Sequence, residues 1–239
     1  MNVSFTELRT TYMLTFEALG FGAGSAFEAA TMATWCDVHG FDGIGLIHSQ
    51  IARPPLGEYR PPEVVTAPDG ALCLDALGNS LFRIGPGVLE IGHAEFVRGQ
   101  TDRVRIVNVE DLGVIPGLAF IATQRAIVGA LQGCMGGTSL TAFASPTAQV
   151  EVIWSTQAFA NDELVICYGE PDDRLPNADV SHRLSPDLLR QREEHALVNG
   201  LSFPDADWRQ VLDVAKQYLV PESDQSRERG AGIGANVEG

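Results

Sequence analysis

Ser139-Leu-Thr-Ala-Phe-Ala144 is followed closely by Gln149-Val-Glu-Val-Ile-Trp154 and by Glu163-Leu-Val-Ile-Cys-Tyr168. All three segments have the length and residue types of β-strands. The breaks between them, Ser145-Pro-Thr147 and Asn161-Asp162, consist of turn-forming residues. Successive strands with such short connections pair antiparallel. The segments therefore predict a small, mostly antiparallel sheet within an α+β fold, rather than a doubly wound one.

The sequence before these strands mixes strand and helix patterns. Leu81–Ile84 and Val88–Ile91 resemble two short strands divided by glycine and proline, and Val104–Val109 alternates well enough for a third. Leu118–Leu131 is apolar nearly all round and precedes Gly133, which predicts a buried helix.

The N-terminal residues 4–52 predict a helical hairpin with an extra turn. Ser4 and Glu7 form a capping box for the first helix. Ser25 is the expected N-cap of the second helix, which ends at Gly40. A short third helix is expected from Ile44 to Ile51.

Two helices are predicted near the C-terminus. Ser185 caps and Pro186 opens the first, which runs to Gly200. Asp205 or Asp207 opens the second, whose apolar residues recur at helical spacing. The residues of this stripe are Trp208, Val211, Leu212, Ala215 and Leu219.

Paired prolines between residues 53 and 70 predict a linker, because they leave little room for a helix or a central strand. The expected organisation is an N-terminal helical hairpin at 1–52 and an α+β body with C-terminal helices at 71–239. The two parts are expected to form one compact unit.

The charge balance limits the classes of partner. The chain has 239 residues and a net charge of −15, with 31 acidic and 16 basic residues. Nucleic-acid binding and anionic membrane surfaces both call for a basic face, so neither partner is predicted. The sequence shows no signal peptide and no apolar run long enough to span a membrane, so a cytoplasmic protein is expected.

Motifs for metals and cofactors are missing from the sequence. The four cysteines include no CxxC pair, and Cys36 with His39 provides at most half of a zinc site. The Gly-rich turn Phe21-Gly-Ala-Gly24 follows a helix rather than a strand, so it is no Rossmann fingerprint. No metal and no cofactor is therefore predicted. Lysine chemistry would depend on Lys216 alone, which lies on the expected solvent side of a helix.

The C-terminal segment Tyr218-Leu-Val-Pro-Glu-Ser-Asp-Gln-Ser-Arg-Glu-Arg-Gly-Ala-Gly-Ile-Gly234 has an ordered pattern of helix and stop signals. Guanidinium groups beside glycine N–H groups are suited to an anion. The predicted binding residues are Arg227, Arg229, Gly230, Gly232 and Gly234. A frayed terminus is the alternative.

Both ends of the chain resemble an uncharacterised bacterial family, domain of unknown function 3726. The N-terminal pattern is Phe21-Gly-Ala-Gly-Ser-Ala-Phe-Glu-Ala-Ala30, Trp35 and Gly40-Phe-Asp-Gly43, and the C-terminal one is Val220-Pro-Glu-Ser223 with Ser226-Arg-Glu-Arg-Gly-Ala-Gly-Ile-Gly234. This family brings no assigned reaction. The opening hairpin also resembles the first helices of the malate/lactate dehydrogenase-like enzymes of the non-Rossmann type; this resemblance implies similar packing there and assigns no activity to this chain.

Two residues are candidates for chemistry in the body of the chain. Cys134 lies at the expected end of a buried helix, where a thiol would be a nucleophile only with a lowered pKa; the alternative is a small buried apolar residue. His93 lies between Glu90 and Glu95, in or beside an expected strand, and is a candidate general base, although a solvated polar face explains this cluster equally well.

Two functional hypotheses follow. In the first, the protein binds or transforms a small anionic metabolite of the carboxylate type, with Arg227 and Arg229 holding the anion. In the second, it is a non-catalytic subunit whose tail docks into a partner protein or a second copy, forming a homo-oligomer. Deleting residues 222–239 distinguishes the two, because the first predicts loss of ligand binding and the second loss of assembly.

Overall fold

The computed structural model describes residues 1–53, 59–66, 72–135, 138–145, 147, 149–155, 160, 162–170 and 180–219. In this part of the chain the helices are α1 Phe5–Ala18, α2 Ala23–His39, α3 Gly43–Ile51, α4 Leu81–Val97, α5 Ile115–Gln124, α6 Pro186–Asn199 and α7 Asp205–Tyr218. The strands are β1 Asn2–Val3, β2 Glu63–Thr66, β3 Leu72–Asp75, β4 Arg103–Val107, β5 Gly129–Met135, β6 Thr138–Ala144, β7 Val150–Ser155, β8 Leu164–Tyr168, β9 Val180–Leu184 and β10 Leu201–Ser202.

The described residues form a main sheet of eight strands in the order β2-β3-β4-β8-β5-β6-β7-β9. Every pair is antiparallel except β3 with β4, which are connected through α4. The two remaining strands, β1 and β10, form a small antiparallel pair that joins the N-terminus to the connection before α7. The predicted α+β fold with a mostly antiparallel sheet is confirmed, and the sheet is larger than expected.

One face of the sheet packs against helices and forms the main core. Leu131, Leu140 and Ile166 point to this face and belong to one buried cluster with Ala33 of α2 and Leu118 of α5. Side chains alternate between the two faces of a strand, so their neighbours point the other way. A smaller cluster of Ala130, Phe143 and Ile153 lies on that second face.

The expected strand pair at 81–91 is wrong, because this segment belongs to the single helix α4 with Pro86 inside it. Ser80 caps the helix by accepting a hydrogen bond from the N–H of Phe82 at 3.2 Å. The helix forms despite its glycines and proline because its apolar residues lie on one face at helical spacing, and that face is buried. That face is Leu81, Phe82, Ile84, Val88 and Leu89.

The expected helix at 118–131 is half correct. Helix α5 ends at Gln124, Ala126 adopts a left-handed conformation with φ 55°, and β5 begins at Gly129. The apolar run continues through the turn because helix and strand are both buried, so hydrophobicity gives no sign of the change.

Strand pairing also differs from expectation in one place. β6 and β7 pair as a hairpin, whereas β8 lies between β4 and β5 and not beside β7. β2 forms an edge strand within the segment expected to be a linker, at Glu63–Thr66. An edge position is where prolines such as Pro61 and Pro62 are tolerated next to a strand.

The helical predictions at the two ends are largely confirmed. Ser4 accepts from the N–H of Glu7, Gly40 ends α2 in a left-handed conformation, and Ser185 caps α6. The N-cap of α2 is Gly22 and not Ser25. The tail from Val220 onwards lies outside the described residues. Across the described ranges, no helix combines the length and the apolar character that crossing a bilayer requires.

Candidate functional site

The C-terminal end of α2 and the turn after it bring together several buried ionisable groups whose pKa values are strongly shifted. This region, residues 35–43, is called the α2 terminus below. α1 and α6 both contact α2, and α3 starts at Gly43 within this region. Asp42 adopts a left-handed conformation with φ 53° and caps α3 by accepting from the N–H of Gly45. This turn directs the N-terminus of α3 back towards Asp37.

Asp37 is held by donors from two elements. Its Oδ2 accepts a hydrogen bond from the hydroxyl of Tyr12 at 2.5 Å, and its Oδ1 accepts from the N–H of Ile44 at 3.0 Å. Burial nevertheless dominates and raises the pKa of the Asp37 carboxyl to about 7. The same enclosure raises the pKa of Tyr12 well above its usual range, with Asp37 adding to the effect. Asp37 therefore changes protonation near neutral pH.

His39 is the second shifted group of the α2 terminus. The residue is 2% exposed, its Nδ1 lies 2.7 Å from the carbonyl oxygen of Trp35, and its ring stacks on that of Trp35 at 4.0 Å. Burial, aided by the nearby charge of Arg192, lowers the pKa of His39 to about 4. The imidazole is neutral at neutral pH, and it serves packing rather than charge.

Arg192 of α6 lies over the end of α2. Its guanidinium donates to the carbonyl oxygen of His39, where the negative end of the helix dipole favours a cation. Among the described residues no carboxylate forms an ion pair with it. A guanidinium has five N–H donors, so this contact leaves most of them for another acceptor.

A cavity of about 510 Å³ opens where Arg192 lies, between α2, α6 and β10. Asp37 lines it from α2, and Gln191, Arg192 and His195 line it from α6. The cavity thus combines one guanidinium, one imidazole, one amide and a carboxyl group that titrates near neutral pH. Such a set can bind a small anion and can exchange a proton with it.

The two predicted catalytic candidates do not meet. His93 is on α4, where its ring lies 6.2 Å from that of Tyr168. Tyr168 pairs with Gly129 at the start of β5, whereas Cys134 lies five residues further along that strand, roughly 16 Å away. Its neighbour Gly133 faces the helical layer, since a Cβ added there would meet Ile115. Cys134 therefore points to the opposite face of the sheet.

The environments of these candidates are also not those expected from the sequence. Cys134 lies in a strand and not at a helix end, and it is 7% exposed. His93 lies on a helix and not on a strand. The predicted tail residues Arg227, Arg229, Gly230, Gly232 and Gly234 lie outside the described residues, so their role stays a prediction.

Metal binding finds no support at the Cys36 and His39 pair. Burial raises the pKa of the Cys36 thiol, followed by the effect of Asp37, so the thiolate ligand is disfavoured. No group of three or more metal-ligating side chains is arranged around an ion position in the described ranges.

Sequence reasoning missed Asp37 and Arg192. A signal for the first was present, because the family-like pattern Trp35 with Gly40-Phe-Asp-Gly43 spans the α2 terminus. Gly43 is close to the Asp37 carboxylate and to a backbone carbonyl, since a Cβ added there would lie 2.2 Å from the carbonyl oxygen of Ala33. No signal pointed to Arg192, whose contact with α2 spans 153 residues of sequence.

No family model matches the chain, and no curated protein matches it in sequence. Solved structures share its fold. Malate dehydrogenase from Entamoeba histolytica superposes with a TM-score of 0.62 at 10% identity, covering 93% of this chain and 99% of that chain. Malate dehydrogenase from Pyrococcus horikoshii OT3 gives 0.63 at 11%, covering 92% and 96%. Sulfolactate dehydrogenase from Methanocaldococcus jannaschii gives 0.60 at 9%, covering 91% and 97%.

The structural similarity covers more than nine tenths of this chain. It therefore extends well beyond the opening hairpin, where the sequence alone shows a resemblance to malate/lactate dehydrogenase-like enzymes. At these identities the comparison establishes a common fold. The fold includes both the helical layer of the α2 terminus and the mixed sheet.

Proposed function

We propose that the protein binds a small carboxylate metabolite, and transforms it, in the cavity between α2, α6 and β10. The observation that carries the proposal is the guanidinium of Arg192, which lines this cavity and has no carboxylate partner among the described residues. Solved structures with this fold are named for enzymes that act on malate and sulfolactate, both small carboxylates, and this supports the choice of ligand class.

The geometry gives each residue a role. Arg192 binds the carboxylate, because guanidinium and carboxylate form paired hydrogen bonds. His195 and Gln191 add donors from the same helix. Asp37, with its pKa raised to about 7 by burial, supplies or accepts a proton if the bound acid reacts.

A Rossmann-type nicotinamide site does not fit the described residues. The parallel pair β3 and β4 forms the one strand–helix–strand crossover in this part of the sheet, and its first turn is Asp75-Ala-Leu-Gly-Asn-Ser80. That turn holds one glycine where the pyrophosphate fingerprint has three. We therefore derive no step through such a cofactor.

Binding of L-malate, measured by isothermal titration calorimetry, tests the proposal. We expect a dissociation constant between about 0.1 and 10 mM for the unmodified protein. Arg192→Ala should weaken binding by roughly 10-fold or more, because a charge-assisted hydrogen bond contributes about 1.5–3 kcal/mol. Arg192→Lys keeps the charge over the helix end but loses the paired geometry, and an intermediate loss is expected.

Arg190→Ala is the matched control, because Arg190 is on the same helix but pairs with Asp187 at 3.0 Å and is exposed. Circular dichroism of each variant checks that α6 still folds. Equal malate affinity in Arg192→Ala and the unmodified protein would remove the basis for the proposal.

A further inference from the structure

A second cavity, of about 170 Å³, lies on the other flank of α6 from the carboxylate cavity. Trp35 and His39 line it from α2, Phe120 from α5, and Leu189 from α6. The carboxylate proposal uses neither this cavity nor its aromatic lining. The two cavities can therefore be tested separately.

The aromatic side chains of the second cavity share an orientation. The ring of Trp35 lies 6.0 Å from that of Phe120 with 23° between their planes, and 4.0 Å from that of His39 with 29° between planes. The stack continues through Phe41, whose ring lies 5.7 Å from that of Trp35 at 20°. Trp35 is already covered by His39, Phe41 and Phe120, whereas half-buried Phe120 keeps part of its ring open to the cavity. Aromatic rings pack favourably on one another in offset-stacked or edge-to-face arrangements, so this lining favours another flat ring over a rounded aliphatic group.

The volume limits the size of a ligand. Apolar protein cavities of roughly 150 Å³ accept a single benzene ring. The second cavity is of that size, at about 170 Å³, and therefore fits a single ring.

The mouth of the second cavity is polar and carries both signs of charge. Gln149, Arg190 and Glu193 lie there and are exposed, and Arg190 is already paired with Asp187 at 3.0 Å. Because Asp187 already neutralises Arg190, Glu193 leaves the mouth with an excess of negative charge, which disfavours an anion. The amide of Gln149 offers both donor and acceptor atoms to a neutral polar group.

We propose that the second cavity binds a neutral, single-ring aromatic compound with one hydrogen-bonding substituent. The ring contacts Trp35 and Phe120, and the substituent meets the amide of Gln149. This is a binding site separate from the carboxylate cavity.

Phenol titration tests the proposal, with ligand-observed NMR and tryptophan fluorescence as readouts. A dissociation constant of about 1 mM is expected, which for seven non-hydrogen atoms lies within the usual limits of ligand efficiency. Leu189→Phe fills the cavity from α6 and should abolish binding. Gln149→Ala, at an exposed position, should weaken it by roughly 2- to 10-fold through loss of one hydrogen bond.

Leu197→Phe is the matched control, because Leu197 is on the same helix and 59% exposed, away from the cavity. It should bind phenol as the unmodified protein does. Cyclohexanol, similar in size but not flat, should bind at least several-fold more weakly than phenol.

Four results would overturn the proposal: no phenol binding up to about ten times the expected constant, equal binding of cyclohexanol, tighter binding of benzoate than of phenol, or unchanged binding in both Leu189→Phe and Gln149→Ala. Arg192 lines the carboxylate cavity and not the second one, so Arg192→Ala should leave phenol binding unchanged. Malate binding and phenol binding can therefore fail independently of each other.

Discussion

Asp37 shows how burial can outweigh several hydrogen bonds at one residue. Tyr12 and the N-terminus of α3 donate to its carboxylate, which favours ionisation, yet removal from water raises its pKa to about 7. The ionised carboxylate is the stronger acceptor for both donors, so these hydrogen bonds weaken on protonation, but burial favours the neutral form by more. The consequence is a pH-dependent contribution to the free energy of unfolding.

The raised pKa of Asp37 determines whether its contribution to the free energy of unfolding grows or falls with pH. The folded state holds the proton up to about pH 7, whereas the unfolded state releases it near 3.8, so Asp37 makes folding less favourable as pH rises between these values. His39 acts in the opposite direction. Its pKa is lowered from 6.5 to about 4, so its contribution rises with pH over that range.

Asp37→Asn isolates the aspartate, because asparagine keeps the size and an acceptor oxygen for Tyr12. Relative to the unmodified protein, the variant should gain roughly 2–4 kcal/mol in free energy of unfolding between pH 4.5 and pH 8. Urea unfolding at a series of pH values measures this difference, in which the His39 effect cancels. Parallel stability curves for the two proteins would show that Asp37 does not titrate as described.

At the scale of elements, glycine positions show where helices approach closely. Gly117 of α5 faces α2, and a Cβ added there would lie 2.6 Å from the carbonyl oxygen of Met32. Gly87 of α4 is exposed, and nothing lies within 4 Å of its added Cβ. The same substitution should therefore have opposite effects at the two positions.

Gly117→Ala should lower the free energy of unfolding by about 1–3 kcal/mol, because the backbone of α2 cannot yield as a side chain could. Gly87→Ala is its matched control and should raise it by roughly 0.5–1 kcal/mol through the better helix propensity of alanine. Thermal unfolding followed by circular dichroism gives both values. A stabilising Gly117→Ala would contradict the close contact between α2 and α5.

The helices and strands also show which sequence signals are sufficient to predict secondary structure and strand order. Helix starts were predicted where one side chain acts on its own neighbours, as with Ser4 and with Ser185 followed by Pro186. The helix α4 was missed because its Gly-Pro-Gly interior favours a break locally, whereas the buried face that holds it together depends on the rest of the chain. Likewise, the place of β8 between β4 and β5 depends on pairings between distant segments.

At the scale of the whole molecule, the candidate site forms between segments far apart in the sequence. The α2 terminus carries a recognisable pattern, and its partner Arg192 comes from α6, in a helix that the sequence predicts but does not position. The tail, by contrast, carries its whole arginine and glycine motif in one short segment, so the sequence predicts binding residues there. Membership of the chain in the family called domain of unknown function 3726 stays a prediction from the two terminal motifs.

The net charge of −15 acts on the entire fold. Acidic residues outnumber basic ones by 31 to 16, so repulsion between carboxylates opposes the compact state at neutral pH. Ion pairs such as Arg53 with Asp111, at 2.7 Å, offset only part of this, and that aspartate side chain is 4% exposed and thus poorly screened by salt. Screening should therefore weaken the repulsion between exposed charges more than it weakens such buried pairs.

Raising NaCl from about 0.02 M to 0.2 M shortens the screening length from roughly 20 Å to 7 Å. The midpoint of thermal unfolding at pH 7.5 should rise by a few degrees, since about 1 kcal/mol shifts it by roughly 2–4 °C at this chain length. At pH 4.6, close to the sequence pI, the same salt change should have little effect because the net charge is near zero. A midpoint that falls with salt at pH 7.5 would mean that ion pairs, rather than repulsion, dominate the electrostatics of the fold.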